Sequence, residues 1–121
     1  RLKKKNIIFT ILLTNSSYMK KLNKKFRNRN KTTDVLSFPN FPIKNLKLPN
    51  EKTIYIGDIA TCYEIIRNRS KKNNFFLEFD KVWVHGFLHL MGFDHKKNKD
   101  YIKMHKIEKK ILNSFTYRSG S

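Results

Sequence analysis

The sequence predicts an α+β fold in which a small mixed β-sheet is packed by helices, one of them central and buried. Short β-branched runs alternate with stretches of helical apolar periodicity, which is typical of this class. Residues 77–91 form the most apolar helical stretch, so we expect this helix at the centre. Three of the four histidines fall within residues 85–95, at the end of that stretch, and they indicate where a functional site lies.

Three strands are expected. Residues 6–13 are rich in Ile and Leu and precede a polar cluster that predicts a turn or helix cap. Residues 35–38 form a short strand that ends at a proline. Residues 53–59 alternate and are β-branched, with Gly57 as a bulge or a point of close approach. Loops are predicted at residues 27–33 and 40–50.

Four helices are expected. The first spans residues 17–26, where apolar residues recur at helical spacing, and Thr61 is the candidate cap of a second that runs to about residue 72. The third is the apolar stretch 77–91, and the last spans residues 99–113. In the first helix the apolar residues at helical spacing are Tyr18, Leu22 and Phe26, and in the second Cys62, Ile65 and Ile66 are expected to face inward. Much of the circumference of the third helix is covered by Val82, Val84, Phe87, Leu88 and Met91, and one stripe of the last helix consists of Met104, Ile107, Ile111 and Phe115.

Length and composition predict a single domain over residues 1–121, with a core large enough to fold without cross-links. Cys62 is the only cysteine, which excludes an internal disulfide and a thiolate metal cluster and fits a reducing cytoplasm. The longest apolar run is too short to span a bilayer, and no signal-peptide pattern is present. The chain begins with Arg1, which is consistent with a missing N-terminal piece, and residues 118–121 are a natural tail or a vector remnant.

The charge is strongly positive. The chain has 27 Lys and Arg against 9 Asp and Glu, a formal net charge of +18. Such a field attracts polyanions, so we expect RNA as partner, bound in part by the cationic run at residues 20–31. The alternative is that codon bias in an A+T-rich genome enriched lysine, leaving a solvated surface without a specific role. The candidate RNA-binding residues of this run are Lys24, Lys25, Arg27, Arg29 and Lys31.

The histidine cluster predicts a metal site. His85 and His89 are four residues apart and share one face of a helix. Gly92 can end that helix and let the chain turn, so that His95 returns toward the same point. Three imidazoles with an open fourth position are the arrangement of catalytic zinc, and another divalent transition metal such as Ni²⁺ is the alternative occupant.

Chance is the competing explanation. Pairs of histidines at this spacing occur in ordinary helices, but a third one after a glycine turn is much rarer. The motif also differs from the H-E-x-x-H of metalloproteases, because Gly86 stands where that motif has its general-base glutamate. This difference argues against peptide hydrolysis by that mechanism.

Three segments together resemble the YbeY family of metal-dependent endoribonucleases and ribosomal RNA maturation factors. They are F-R-N-R-N-K-T-T-D-V-L-S-F-P at residues 26–39, G-D-I at residues 57–59 and H-G-F-L-H-L-M-G-F-D-H at residues 85–95. Their order and spacing agree with the family over about residues 6–115. Phe26 and Phe93 stand where tyrosine is commoner, and family members usually carry an additional strand and helix before the segment with which this sequence begins.

The resemblance implies that His85, His89 and His95 ligate zinc and that Arg27 is a functional arginine. It also implies a single-strand-specific endoribonuclease that acts on the 3′ end of small-subunit ribosomal RNA and in ribosome quality control. Its partners would be single-stranded RNA and the small ribosomal subunit. We expect zinc to activate water and polarise the phosphoryl group, and Arg27 to stabilise the growing charge.

Several alternatives stay open. Asp34 and Asp58 could each orient a metal-binding histidine or simply cap a turn, and turn capping is the commoner role. Asp94 is expected to cap a turn, His105 to be a surface histidine, and Trp83 and Phe87 to be core residues. The rival functions are a non-catalytic RNA-binding factor for ribosome assembly, with a structural metal, and a different metal-dependent hydrolase.

Overall fold

The computed structural model describes residues 6–39, 53–93 and 98–115. It has the predicted α+β architecture, with three strands in one mixed sheet and four α-helices. The predicted loop at residues 40–50 lies outside the described residues. The elements are β1 (Asn6–Thr14), α1 (Ser16–Arg27), β2 (Val35–Pro39), β3 (Thr53–Cys62), α2 (Tyr63–Arg69), a 3₁₀ turn (Ser70–Lys72), α3 (Phe75–Leu90) and α4 (Asn98–Asn113).

The sheet has the order β1-β3-β2, with β1 parallel and β2 antiparallel to the central β3. Gly57 lies at an irregularity in β3: Ile8 pairs with Tyr55, whereas Phe9 pairs with Gly57. Its φ of +139° and the approach of the Phe38 carbonyl oxygen, 2.3 Å from where a Cβ would lie, both require glycine. The predicted bulge at Gly57 is therefore confirmed.

The helices pack on two sides of the sheet. One buried cluster joins Met19 of α1 to Leu36 and Ala60 of the strands, and a second cluster joins Ile59 of β3 to Leu90 of α3. Neighbouring residues of β2 and β3 thus belong to different clusters, as side chains on a pleated strand do. Strand β2 is an edge strand between the two helices, which allows both of them to reach the same cleft.

Capping residues set the ends of α1 and the start of α3. The Asn15 side chain accepts a hydrogen bond from the Tyr18 amide (2.8 Å), and the Asn74 side chain accepts one from the Phe76 amide (2.8 Å). Asn28 ends α1 in the left-handed conformation, with φ of 58°. Buried Asn23 donates from its side chain to the Lys31 carbonyl (2.8 Å), which ties the following loop to the helix.

The prediction that Thr61 caps the second helix is wrong. Strand β3 continues to Cys62, and α2 begins only at Tyr63. Thr61 pairs with both neighbouring strands, and its hydroxyl donates to the Leu12 carbonyl (3.0 Å). Pairing on two sides satisfies more of the backbone than a helix cap would, so the strand extends through the polar residue.

The prediction that the histidine-bearing helix is buried is confirmed. Val84 and Leu88 of α3 are fully or almost fully buried, and α3 packs against the sheet and against α4. Met91 differs from the prediction, because α3 ends at Leu90 and the Met91 side chain is 45% exposed. The last helix, α4, buries Met104 and half-buries Ile107 and Ile111, as its apolar stripe predicts. No helix in the described part of the chain is long and apolar enough to cross a membrane.

Candidate functional site

The first two histidines of the motif converge in the structure. His85 and His89 lie one turn apart on α3, and their Nε2 atoms are 3.1 Å from each other. Two nitrogens that bind one tetrahedral zinc at about 2.0–2.1 Å lie about 3.3 Å apart, close to this separation. The pair is therefore already placed as two ligands of one small cation would be.

The other ring nitrogens define the tautomers. His85 Nδ1 lies 2.7 Å from Glu108 Oε2, and His89 Nδ1 lies 3.0 Å from the Phe93 carbonyl oxygen. A carbonyl oxygen only accepts, and so does an ionised carboxylate, so each Nδ1 carries the proton and donates it. The two Nε2 atoms then face each other at 3.1 Å, where a bound cation can take both lone pairs and where, without a cation, one Nε2 can donate a proton to the other. This is the pattern of metal-binding histidines whose second nitrogen is held by an acceptor.

The chain turns after α3 as the sequence predicts. Gly92 has φ of +95°, and the Phe93 amide donates back to the Leu88 carbonyl (3.0 Å). His95, the expected third ligand, and Asp94 lie outside the described residues, and the role of His95 stays a prediction. Within the three described ranges, no group of three or more His, Cys, Asp or Glu side chains is arranged to hold a metal ion.

Arg27 lies beside the histidine pair. It is the last residue of α1, and its Nη2 donates to the Ser37 carbonyl (2.6 Å) while its Nη1 donates to the Phe26 carbonyl (3.2 Å). The guanidinium carbon lies 5.3 Å from the centre of the Phe38 ring, within the range of a cation–π contact. Together these contacts hold the guanidinium at the edge strand β2.

The arginine and the histidines share one cleft of about 580 Å³. Its floor is the edge strand β2, and its two walls are the C-terminal ends of α1 and α3. Ser37 contacts both walls, because its carbonyl accepts from Arg27 and its hydroxyl donates to the Gly86 carbonyl (2.8 Å). The described residues that line the cleft are Arg27, Asp34, Val35, Leu36, Ser37, Pro39, His85, His89, Gly92 and Phe93.

The other candidate RNA-binding cations do not line this cleft. Lys24 and Lys25 lie in the last turn of α1, and Arg29 and Lys31 lie in the loop that leads to β2. All four side chains are exposed, and Lys25 lines a second pocket, with Phe26 and Phe38. They are neighbours of Arg27 in the chain, and their role in RNA binding stays a prediction.

Neither aspartate considered as a partner for the histidines plays that part. Asp34 forms an ion pair with Arg69 (2.8 Å), and Asp58 accepts a hydrogen bond from the Tyr55 hydroxyl. The carboxylate at His85 is instead Glu108 of α4, which the sequence analysis missed. An available signal was its position on the inward stripe of α4, one turn after buried Met104, where a carboxylate needs a partner.

The remaining histidine and aromatic side chains lie where the sequence analysis placed them. His105 is a surface residue of α4, with 57% of its side chain exposed. Trp83 and Phe87 are half-buried, and their rings contact Phe9 at centroid distances of 5.8 and 5.1 Å. They are core residues rather than platforms for stacking of RNA bases.

Comparison with known proteins agrees with the motifs. The family model "Endoribonuclease YbeY" matches residues 1–116. The protein named Endoribonuclease YbeY from Pelagibacter ubique is 50% identical in an alignment of length 108 that covers 86% of this chain and 67% of that protein. The protein of the same name from Buchnera aphidicola subsp. Acyrthosiphon pisum is 43% identical in an alignment of length 121, gaps included, that covers 96% of this chain and 74% of that protein.

A solved structure shows the same fold. The solution structure of a Thermotoga maritima protein matches with a TM-score of 0.55 and 29% identity, over 89% of this chain and 67% of that one. The chain thus spans between two thirds and three quarters of the length of these three proteins. With a family model that matches almost its whole length and relatives of this similarity, the chain belongs to the YbeY endoribonuclease family.

Proposed function

We propose that this chain is a zinc-dependent endoribonuclease that cleaves single-stranded RNA in the cleft between Arg27 and His85. In the cell, we propose that it matures the 3′ end of small-subunit ribosomal RNA and acts in ribosome quality control, in the cytoplasm and with the small ribosomal subunit as partner. The observation that carries the proposal is the pair of Nε2 atoms 3.1 Å apart, in the same cleft as an anchored arginine.

The donor set fits a borderline metal ion. His85 and His89 would hold it through Nε2, and His95 is proposed as the third ligand. Neutral imidazoles suit zinc, and also nickel, better than they suit magnesium or calcium, which prefer oxygen ligands. When bound, such an ion supplies Lewis acidity, which activates water and polarises a phosphoryl oxygen.

Arg27 supports a reaction at phosphate. Two of its nitrogens are tied to main-chain carbonyls, and the guanidinium has further N–H donors that a phosphate oxygen can accept. Because these bonds hold the guanidinium before RNA arrives, it would stabilise the negative charge that grows on the phosphate in the transition state without first having to be ordered. Arg27 and the metal-binding His85 are thus the residues that we propose for the catalytic centre.

The charge of the chain supports RNA as the substrate. With a formal net charge of +18, the protein attracts polyanions over its whole surface. Lys24, Lys25, Arg29 and Lys31 would contact phosphates on either side of the scissile bond, and their exposure allows this without any rearrangement. Contacts of this kind bind the backbone without reading the base sequence.

The proposal is tested by zinc analysis combined with cleavage of a labelled single-stranded RNA. We expect one zinc per chain and cleavage that is lost after chelation and restored by added zinc. His85→Ala should lose both zinc and cleavage, whereas Lys71→Ala, which changes an exposed residue of the 3₁₀ turn, should retain both.

Two outcomes would contradict the proposal. Zinc-loaded protein that binds RNA but does not cut it would indicate a non-catalytic assembly factor with a structural metal. Full cleavage by the His85→Ala variant would remove the histidine pair from the reaction.

A further inference from the structure

Glu108 is a carboxylate in an unexpected place. It lies on α4 between apolar residues that face the core, and only 19% of its side chain is exposed. An ion that is mostly withdrawn from water costs free energy unless it is paired or hydrogen-bonded. Its Oε2 lies 2.7 Å from His85 Nδ1, so the helix places this charge against a histidine on a neighbouring helix.

This contact fixes two properties of the His85 ring. The Nδ1–H donates to the carboxylate, and the direction of this bond sets the rotation of the ring, so that Nε2 faces His89 Nε2 at 3.1 Å, the point where a cation would bind. An anion at Nδ1 also increases the electron density that Nε2 offers to a cation. The effect therefore acts through His85 and needs no contact between Glu108 and the ligand.

The two histidines differ in their support. His89 Nδ1 faces the neutral main-chain carbonyl of Phe93 at 3.0 Å, whereas His85 Nδ1 faces a charged side chain from another helix. A substitution of Glu108 can thus remove the hydrogen bond to the His85 ring and leave the hydrogen bond of the His89 ring intact. Since α4 follows the turn after α3 in the chain, Glu108 also makes the geometry of His85 depend on the docking of α4.

We propose that Glu108 is the positioning residue of the site: it holds His85 in the Nδ1–H tautomer and directs Nε2 toward the cation. The binding of a cation rests on the proposed function, but the effect of Glu108 on the His85 tautomer does not depend on it. Glu108 is not a catalytic residue in this proposal, because it touches neither RNA nor the reacting atoms.

Two variants separate charge from hydrogen bonding. Glu108→Gln keeps an acceptor of the same shape and removes the charge. Glu108→Leu removes the acceptor and fills the space on the apolar stripe with a side chain of similar size. The matched control is Asp100→Asn, which removes the same charge from the first turn of the same helix.

The first measurement is the tautomer of His85, read from the ¹⁵N shifts of its ring nitrogens in metal-free protein. We expect the Nδ1–H form in the wild type and in Asp100→Asn, and a partial loss of it in Glu108→Gln, because the amide can either accept from Nδ1–H or donate to Nδ1. We expect a mixture of tautomers in Glu108→Leu. An unchanged Nδ1–H form in Glu108→Leu would overturn the proposal.

The second measurement is zinc affinity, by competition with a chromophoric chelator. Loss of an outer partner of a ligating histidine typically costs about 10- to 100-fold in metal affinity, which we expect for Glu108→Leu, with a smaller loss for Glu108→Gln. Asp100→Asn should stay within about twofold of the wild type on the same scale. Wild-type affinity in Glu108→Leu would overturn the proposal, and if that variant does not fold, wild-type affinity in Glu108→Gln would do so.

The two measurements also keep this proposal separate from the proposed function. A wild-type protein that takes up no zinc would sink the metal site, while the tautomer in the same metal-free sample would still decide the role of Glu108. A zinc-loaded wild type together with an unaltered Glu108→Leu variant would leave the metal site standing and remove Glu108 from it.

Discussion

At the scale of single residues, Arg27 offers the sharpest test of the reaction. Lysine at this position keeps the charge but has one compact ammonium group, which cannot hold the Ser37 carbonyl and a phosphate in the fixed geometry of a guanidinium. We expect Arg27→Lys to lower the cleavage rate about 100-fold, the typical effect of losing one transition-state donor. RNA affinity should fall much less, because several other cations share the binding.

The control for this substitution is Arg29→Lys. Arg29 is exposed and lies outside the lining of the cleft, so the same change there should leave the cleavage rate within about twofold. Single-turnover cleavage and RNA titration on the same samples separate the two quantities. A fully active Arg27→Lys enzyme would return Arg27 to the class of ordinary surface cations.

At the scale of elements, the contact of α3 with the sheet leaves no space at Gly86. A Cβ there would lie 2.8 Å from Ile59 Cγ2 and 3.0 Å from Val35 Cγ2. This closeness gives a physical reason why the chain has no glutamate at the position that H-E-x-x-H motifs use for their general base. The backbone of α3 at Gly86 lies directly against the side chains of β2 and β3.

Gly86→Ala should therefore destabilise the protein. Alanine favours a helix by about 1 kcal/mol over glycine, but overpacking a tight contact costs about 1–3 kcal/mol. We expect a net loss of about 1 kcal/mol in the free energy of unfolding, measured with urea, and weaker zinc binding as α3 shifts. A variant more stable than the wild type would mean that α3 can move away from the strands without cost.

The same scale shows what the sequence could and could not predict. Strand and helix types follow from local periodicity, and they were predicted for β1, β3, α1, α3 and α4. Thr61 lies in β3 because it pairs with two strands that are distant in sequence. The prediction of a helix cap used only neighbouring residues and was therefore wrong. In the same way, the carboxylate that contacts His85 is Glu108 rather than Asp34 or Asp58 because of how α4 packs against α3. No local sequence pattern encodes that packing.

The residues of the candidate site also differ in whether the local sequence could predict them. The i, i+4 spacing of His85 and His89 fixes their common face, so their convergence could be predicted from residues that are close in sequence. Nothing in local spacing joins Arg27 to the histidines, and only the family resemblance indicated that it matters. For Glu108 there was no signal from local spacing and none from the family resemblance. The sequence indicated it only through its position among the inward-facing residues of α4.

At the scale of the whole molecule, charge governs the encounter with RNA. If the five candidate cations each neutralise one phosphate, the logarithm of the RNA affinity should fall with the logarithm of salt concentration with a slope of about −3.5. Replacing Lys24 and Lys25 with Gln should make this slope shallower by about 1.4. Binding titrations at several salt concentrations measure it directly.

The matched control is a pair of lysines on α4, outside the cationic run at residues 20–31. Lys109 and Lys110 of α4 are also neighbouring exposed lysines, and changing both to Gln removes the same charge from the molecule. If binding follows the cationic run at the end of α1, this pair should leave the slope nearly unchanged. Equal effects of the two pairs would mean that net charge alone, without a defined path, accounts for the attraction.

The two contacts of Ser37 have a consequence for how RNA is received. Because one residue of the edge strand holds both the arginine and the histidine helix, the opening between them cannot widen unless β2 gives up one of these bonds. The conformational entropy of the two walls, α1 and α3, is then lost when the protein folds, and RNA binding does not have to bear that cost. If the cleft receives RNA as proposed, a flexible single strand would adapt its backbone to this frame more readily than a stiff duplex. Preference for unpaired RNA would in this way come from the mechanics of the receptor rather than from recognition of any base.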